Sequence, residues 1–175
     1  MNKLQYFKSI LFLTILFING CASSPAKFQE AKEAVINKEK IINKPFDVVW
    51  QKTVEWFAVH NTPIKTIDLS SGLIASDYNL SVDDNTDYID CGKPIYGNIG
   101  TWGTEVTTPT FTNQKGNINV LIYKINDTTT KITINFFAES YLTQYDDKGI
   151  AVSNQKVNCY SKGTLEKEIF DSITN

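Results

Sequence analysis

The chain of 175 residues is predicted to fold as an α+β two-layer sandwich, an antiparallel sheet with a long N-terminal helix and a C-terminal helix on one face. Three observations predict it. Residues 46–58 carry apolar side chains at helical spacing, two pairs of alternating segments are joined by short polar turns, and a second helical stripe closes the chain. Hairpins rather than long crossovers link the strands, which makes the sheet antiparallel.

Taken in order, Val35-Ile36 and Ile41-Ile42 flank a Lys/Glu stretch and belong to a first strand. Pro45 suits the first position of a helix, and Asp47 complements the positive end of its dipole. Phe46, Val49, Trp50, Thr53, Val54, Phe57 and Ala58 then share one stripe, and Thr62-Pro63 stops it, because the residue before a proline avoids the helical region. Ile64–Leu69 and Leu73–Tyr78 read as a hairpin turning at Ser70-Ser71-Gly72. Residues 79–100 read as a polar loop, and Trp102, Thr104, Val106 and Thr108 alternate as a strand ended by Pro109. The clearest β signal follows: Ile118, Val120 and Ile122 on one face, a turn at 126–130, then Ile132, Ile134, Phe136 and Ala138. A loop over 143–154 and a short strand over Val157–Tyr160 lead to the closing stripe Leu165, Ile169, Phe170 and Ile173. Thr164 is the expected N-cap, with Glu166 and Glu168 at the helix start.

The first twenty residues have a different character. Lys3 and Lys8 precede an apolar run from Ile10 to Ile18, too short for the roughly 20 residues that span a bilayer. Ile18-Asn19-Gly20-Cys21 resembles the lipobox of bacterial lipoproteins, in which the cysteine thiol is diacylated and the signal is cut before it. That resemblance implies three segments: signal peptide 1–20, lipidated tether 21–34 and a single domain over 35–175. Two acyl chains at about 0.8 kcal/mol per buried methylene hold a protein stably on a membrane. Ala22 stands where aspartate would direct inner-membrane retention, so the resemblance implies an outer-membrane anchor facing the periplasm.

With Cys21 lipidated, Cys91 and Cys159 form an even pair, read first as a disulfide in an oxidising compartment. A reactive thiol or a metal site are the alternatives. Neither cysteine belongs to a Cys-x-x-Cys pair, and His60 is the lone histidine.

The runs Lys44-Pro-Phe-Asp-Val-Val-Trp50, Pro63-Ile-Lys-Thr-Ile-Asp68 and Ser71-Gly-Leu-Ile-Ala-Ser-Asp77 are similar to the helix-grip domains of the outer-membrane assembly lipoprotein BamC. The ending Cys159-Tyr-Ser-Lys-Gly-Thr-Leu-Glu166 is similar to that of small uncharacterised proteobacterial lipoproteins. The first of these likenesses spans about a fifth of the chain and implies a helix-grip-like fold rather than an activity.

Composition removes several function classes. All 17 basic residues are lysines, and loss of Lys3 and Lys8 with the signal leaves 15 against 19 acidic residues, a net charge of −4. Such a surface lacks both the cationic patch and the arginine forks of nucleic-acid binders. One histidine excludes Ser-His-Asp and multi-histidine metal chemistry by count, and no phosphate loop or nucleophile elbow occurs. Asp83, Asn85 and Asp87 copy the first three ligands of a calcium loop. Tyr88 stands where that loop needs glycine and Pro94 where it needs glutamate, so a solvated acidic loop is the preferred interpretation and no metal or other cofactor is expected. Asp68, Asp77, Glu105 and Glu139 are the carboxylates available to a hydrolase, with nothing to select a pair. Tyr96, Trp102, Tyr141 and Tyr145 are candidates for a sugar- or protein-binding surface.

The expected function is therefore a non-enzymatic, lipid-anchored periplasmic binding or accessory module of the cell envelope. Its partners would be the membrane, through the lipid, and another envelope protein. A carrier of small hydrophobic ligands in a helix–sheet pocket is the alternative, and an enzyme of unknown type the third.

Overall fold

The structure, a computed structural model, describes residues 27–79, 85–95 and 109–175. In chain order its elements are β1 (Phe28–Gln29), β2 (Glu39–Ile42), α1 (Phe46–Val59), β3 (Ile64–Asp68), β4 (Leu73–Asn79) and α2 (Asn85–Tyr88). There follow β5 (Ile89–Asp90), β6 (Lys93–Pro94), β7 (Thr110–Asn126), β8 (Thr129–Tyr145), β9 (Ala151–Ser161) and α3 (Thr164–Thr174). The main sheet runs β3-β4-β7-β8-β9-β5, antiparallel at every step, and β1 pairs β6 in a separate ribbon. The outer edge of β8 is shared, with β2 taking Thr130–Thr133 and β9 taking Ala138–Tyr145.

The expected two-layer sandwich led by a long N-terminal helix is overturned. About half of the described residues are strand and about a fifth helix, so the described structure is mostly antiparallel sheet, with main helices of 14 and 11 residues beside the four-residue α2. The cause lies in the polar ends of the central hairpin. Strands β7 and β8 each run for 17 residues, through threonine, asparagine and glutamine segments with little apolar alternation. Cross-strand hydrogen bonding supplies the continuity there, and register shifts between Thr112/Lys115 and Lys124/Asn126 absorb the irregularities. Strand β9 likewise extends back to Ala151, over the last third of the segment expected to be loop.

Boundaries differ in detail. Pro45 caps α1 from outside rather than standing as its first residue, and Gly163 rather than Thr164 occupies the N-cap of α3. Gly163 has φ +83°, and a Cβ there would press to 3.0 Å from Ile36 Cγ2, so glycine meets both the conformation and the close approach. Residues 28–29, expected in the tether, form β1. The strand expected over Trp102–Thr108 lies outside the described residues.

The two main helices pack against the same sheet face. Val49 and Phe57 of α1 and Leu165, Ile169 and Ile173 of α3 meet Ile74, Ile118, Val120, Ile122, Ile132 and Ile134 in one cluster. Trp56 sets its ring edge-on to Phe57 at 5.3 Å. Glu166 is also buried there; Ser161 Oγ donates to its carboxylate at 2.7 Å. A second, smaller cluster at the other end of the hairpin joins Leu142 and Val157 to Phe28 and Phe111. Cys91 and Cys159 are disulfide-bonded, with Cα atoms 4.1 Å apart, and tie the loop after β5 to β9 within the main core.

Candidate functional site

Period-2 alternation sends every second side chain of a strand to the opposite face. With Ile118, Val120, Ile132, Ile134 and Phe136 committed to the helices, Asn117, Asn119, Asn135, Phe137 and Glu139 face the other way. Register then aligns them in rows. Asp77 of β4 opposes Asn117 of β7, Asn117 opposes Phe137 of β8, and in the next row Lys115 opposes Glu139, which opposes Asn158 of β9. Phe137 is 58 % exposed in the middle of this polar field.

These rows form the floor of a groove of about 840 Å³. One wall is the segment Glu33–Lys38, which crosses toward β2, and another is the end of β9 at Asn158–Ser161. The volume falls within the range of small-ligand sites. A shallower depression of about 430 Å³ lies between α1 and β3, lined by Trp50, Val54, Ala58 and Ile67. Between the helices and the sheet, in contrast, Val49, Phe57, Ile74, Ile118 and Ile169 are excluded from solvent and occupy the space.

The electrostatics of the groove are balanced. Lys65 Nζ donates to Asp77 at 2.9 Å and Asn117 Nδ2 donates to it at 3.3 Å; the lysine chiefly, with the amide and against the opposing effect of burial, holds the Asp77 carboxyl below its ordinary range. Lys156 pairs with Glu139, which raises the lysine above its usual value. Lys38 reaches Glu33 at 3.4 Å. A proton donor for hydrolysis needs a carboxyl whose pKa is raised, and Asp77 is moved in the opposite direction. Oriented by their lysine partners, these carboxyl oxygens can accept hydrogen bonds from a polar ligand.

The carboxylates singled out in the sequence separate accordingly. Asp77 and Glu139 come to the same groove. Asp68 does not: it caps the β3–β4 turn, where the Ser70 and Ser71 hydroxyls donate to it at 2.7 Å and hold it down to about 2. Glu105 lies outside the described residues, as do Cys21, Asp83, Tyr96 and Trp102. Asn85–Tyr88 form the turn α2, with Asp87 exposed, and no cluster of three metal-ligating side chains occurs among the described residues. Tyr141 and Tyr145 stand on the groove side of β8, half-buried and further along the strand. His60 stacks on Trp56 at 4.4 Å and its Nδ1 lies 2.8 Å from the Trp56 carbonyl, a helix-end role.

Phe137, Asn117, Asn158 and Tyr160 are the residues that sequence reasoning missed. For Phe137 the signal was present: Phe136-Phe137 is an adjacent aromatic pair in a strand, and assigning Phe136 inward sends Phe137 outward. For the asparagines only strand register brings them together.

No protein-family model matches the chain, and no curated protein matches it either. Among the described residues no helix is long and apolar enough to cross a membrane.

Proposed function

We propose that this protein is a non-enzymatic binding or accessory module of the cell envelope, tethered by lipid at Cys21 on the periplasmic side of the outer membrane, and that it binds through the open face of its sheet. The observation that carries the proposal is the contrast between the two faces: the helix-covered face is filled with side chains, whereas the opposite face holds an open groove of about 840 Å³ with ion-paired carboxylates. The lipobox-like Ile18-Asn19-Gly20-Cys21 supports the anchor. The bonded pair Cys91–Cys159 is in keeping with an oxidising compartment.

Site-specific photo-crosslinking in the host tests it. A crosslinker at Asn158, in the groove, is expected to give discrete envelope adducts that one at Glu55, on the helix surface, does not. Equal adducts from both, or none from Asn158, overturn the assignment of the binding face. Cys21→Ser is expected to move the protein from the membrane to the soluble periplasmic fraction; retention on the membrane overturns the lipid anchor.

A further inference from the structure

We propose that the groove on the open sheet face takes an uncharged oligosaccharide; this rests on the binding-module reading above and gives its ligand a chemistry. The first ground is Phe137. A phenyl ring 58 % exposed among the side chains of Asn117, Asp77 and Glu139 leaves a flat apolar surface in water. A pyranose covers such a ring with its axial C–H face while its hydroxyls point to the sides. Those sides are polar here. Asn117 lies opposite Phe137 on β7, while Glu139 and Asn158 are paired in the adjacent row on β8 and β9.

The second ground is the type of polar group. An amide side chain both donates and accepts, as a hydroxyl does, and a carboxylate accepts from a hydroxyl pair. Asn117, Asn158, Asp77 and Glu139 line the groove together. The third ground is charge. Glu33, Asp77 and Glu139 each have a lysine partner, in Lys38, Lys65 and Lys156. The carboxylates are thus paired and oriented without an excess of either sign, apart from Lys115, which can donate to a hydroxyl or acetamide oxygen. Phosphate or polyanion sites need several free cations or arginine forks, and this chain has no arginine. A long apolar peptide would in turn leave the Asn117–Asp77 and Glu139–Lys156 groups covered without replacement partners, at a desolvation cost.

The test is calorimetric titration of the full lipidated chain in detergent with an N-acetylglucosamine tetramer, a glucose tetramer and polygalacturonate. Saturable binding of at least one uncharged tetramer is expected. Phe137→Ala should weaken it by about tenfold or more, as for a central stacking contact, with the circular dichroism spectrum unchanged. Phe137→Trp should retain it. Tyr123→Ala, a change of another exposed ring on β7 outside the groove, should leave it unaltered. Binding of polygalacturonate alone, binding indifferent to Phe137→Ala, or no binding of either tetramer at millimolar concentration overturns the oligosaccharide assignment. In the last case the Asn158 crosslinks decide separately: protein adducts there preserve the binding module with a different ligand, and their absence removes both.

Discussion

The two faces of the central hairpin are built from alternating residues of the same strands, and they meet opposite surroundings. Ile118, Val120 and Ile134 are fully buried beneath the helices, whereas Asn117, Asn119 and Asn135, their immediate neighbours, face the other way. The covered face therefore carries the stability, and the open face is free to carry polar groups whose loss costs the fold little. Side chains there can be changed without disturbing the core, which a site set inside it would not allow.

The covered face should break first and hardest. Phe57 is fully buried at the junction of α1 and the sheet, so Phe57→Ala is expected to cost about 3–5 kcal/mol through lost burial and an unfilled cavity, read by urea denaturation. A loss below about 1 kcal/mol would mean that the helix layer is loosely attached. Next is the disulfide between the loop after β5 and β9. Replacing Cys91 and Cys159 together by alanine should cost about 2–4 kcal/mol, because the two lie 68 positions apart and their loop is no longer closed in the unfolded chain. Phe137→Ala, on the open face, should shift stability by no more than about 0.5 kcal/mol, which sharpens the contrast with Phe57.

The smallest expected effect is at the β3–β4 turn. The Ser70 and Ser71 hydroxyls hold Asp68 at about 2 in the folded state, below its ordinary value of 3.8. A depressed carboxyl contributes stability that is present above the unfolded value and lost as pH falls through the folded one. Stability should thus decline between about pH 4 and pH 2, and Asp68→Asn should flatten that part of the profile. An unchanged slope in the variant would remove Asp68 as a contributor.

Much of the local structure was readable in the residues. The stripe from Phe46 to Phe57, the Ser70-Ser71-Gly72 turn and the alternation of Ile118–Ile122 and Ile132–Phe136 each follow from short-range periodicity or turn chemistry, and helix or strand forms at each of those places. The global balance was not readable. Carrying β7 back to Thr110 and β8 on to Tyr145 depends on pairings such as Thr110 with Thr143 and Thr143 with Asn154, whose polar side chains give no strand period. Those pairings turn a presumed helix-led sandwich into a mostly β molecule. The groove was half legible: alternation exposes Phe137, but its neighbours Asp77 and Asn158 come from β4 and β9, 81 positions apart in the chain.

By itself the amino-acid order determined which short segments are helical or extended, which side chains face inward within each, and which chemistries a chain with one histidine and no arginine lacks. Only the tertiary structure decided how far the central strands run, that Glu166 is buried against Ser161, and that Asp77, Asn117, Phe137, Glu139 and Asn158 share one groove. The reason is range: periodicity and turn chemistry act over a few residues, while sheet register is fixed by pairing between segments tens of residues apart.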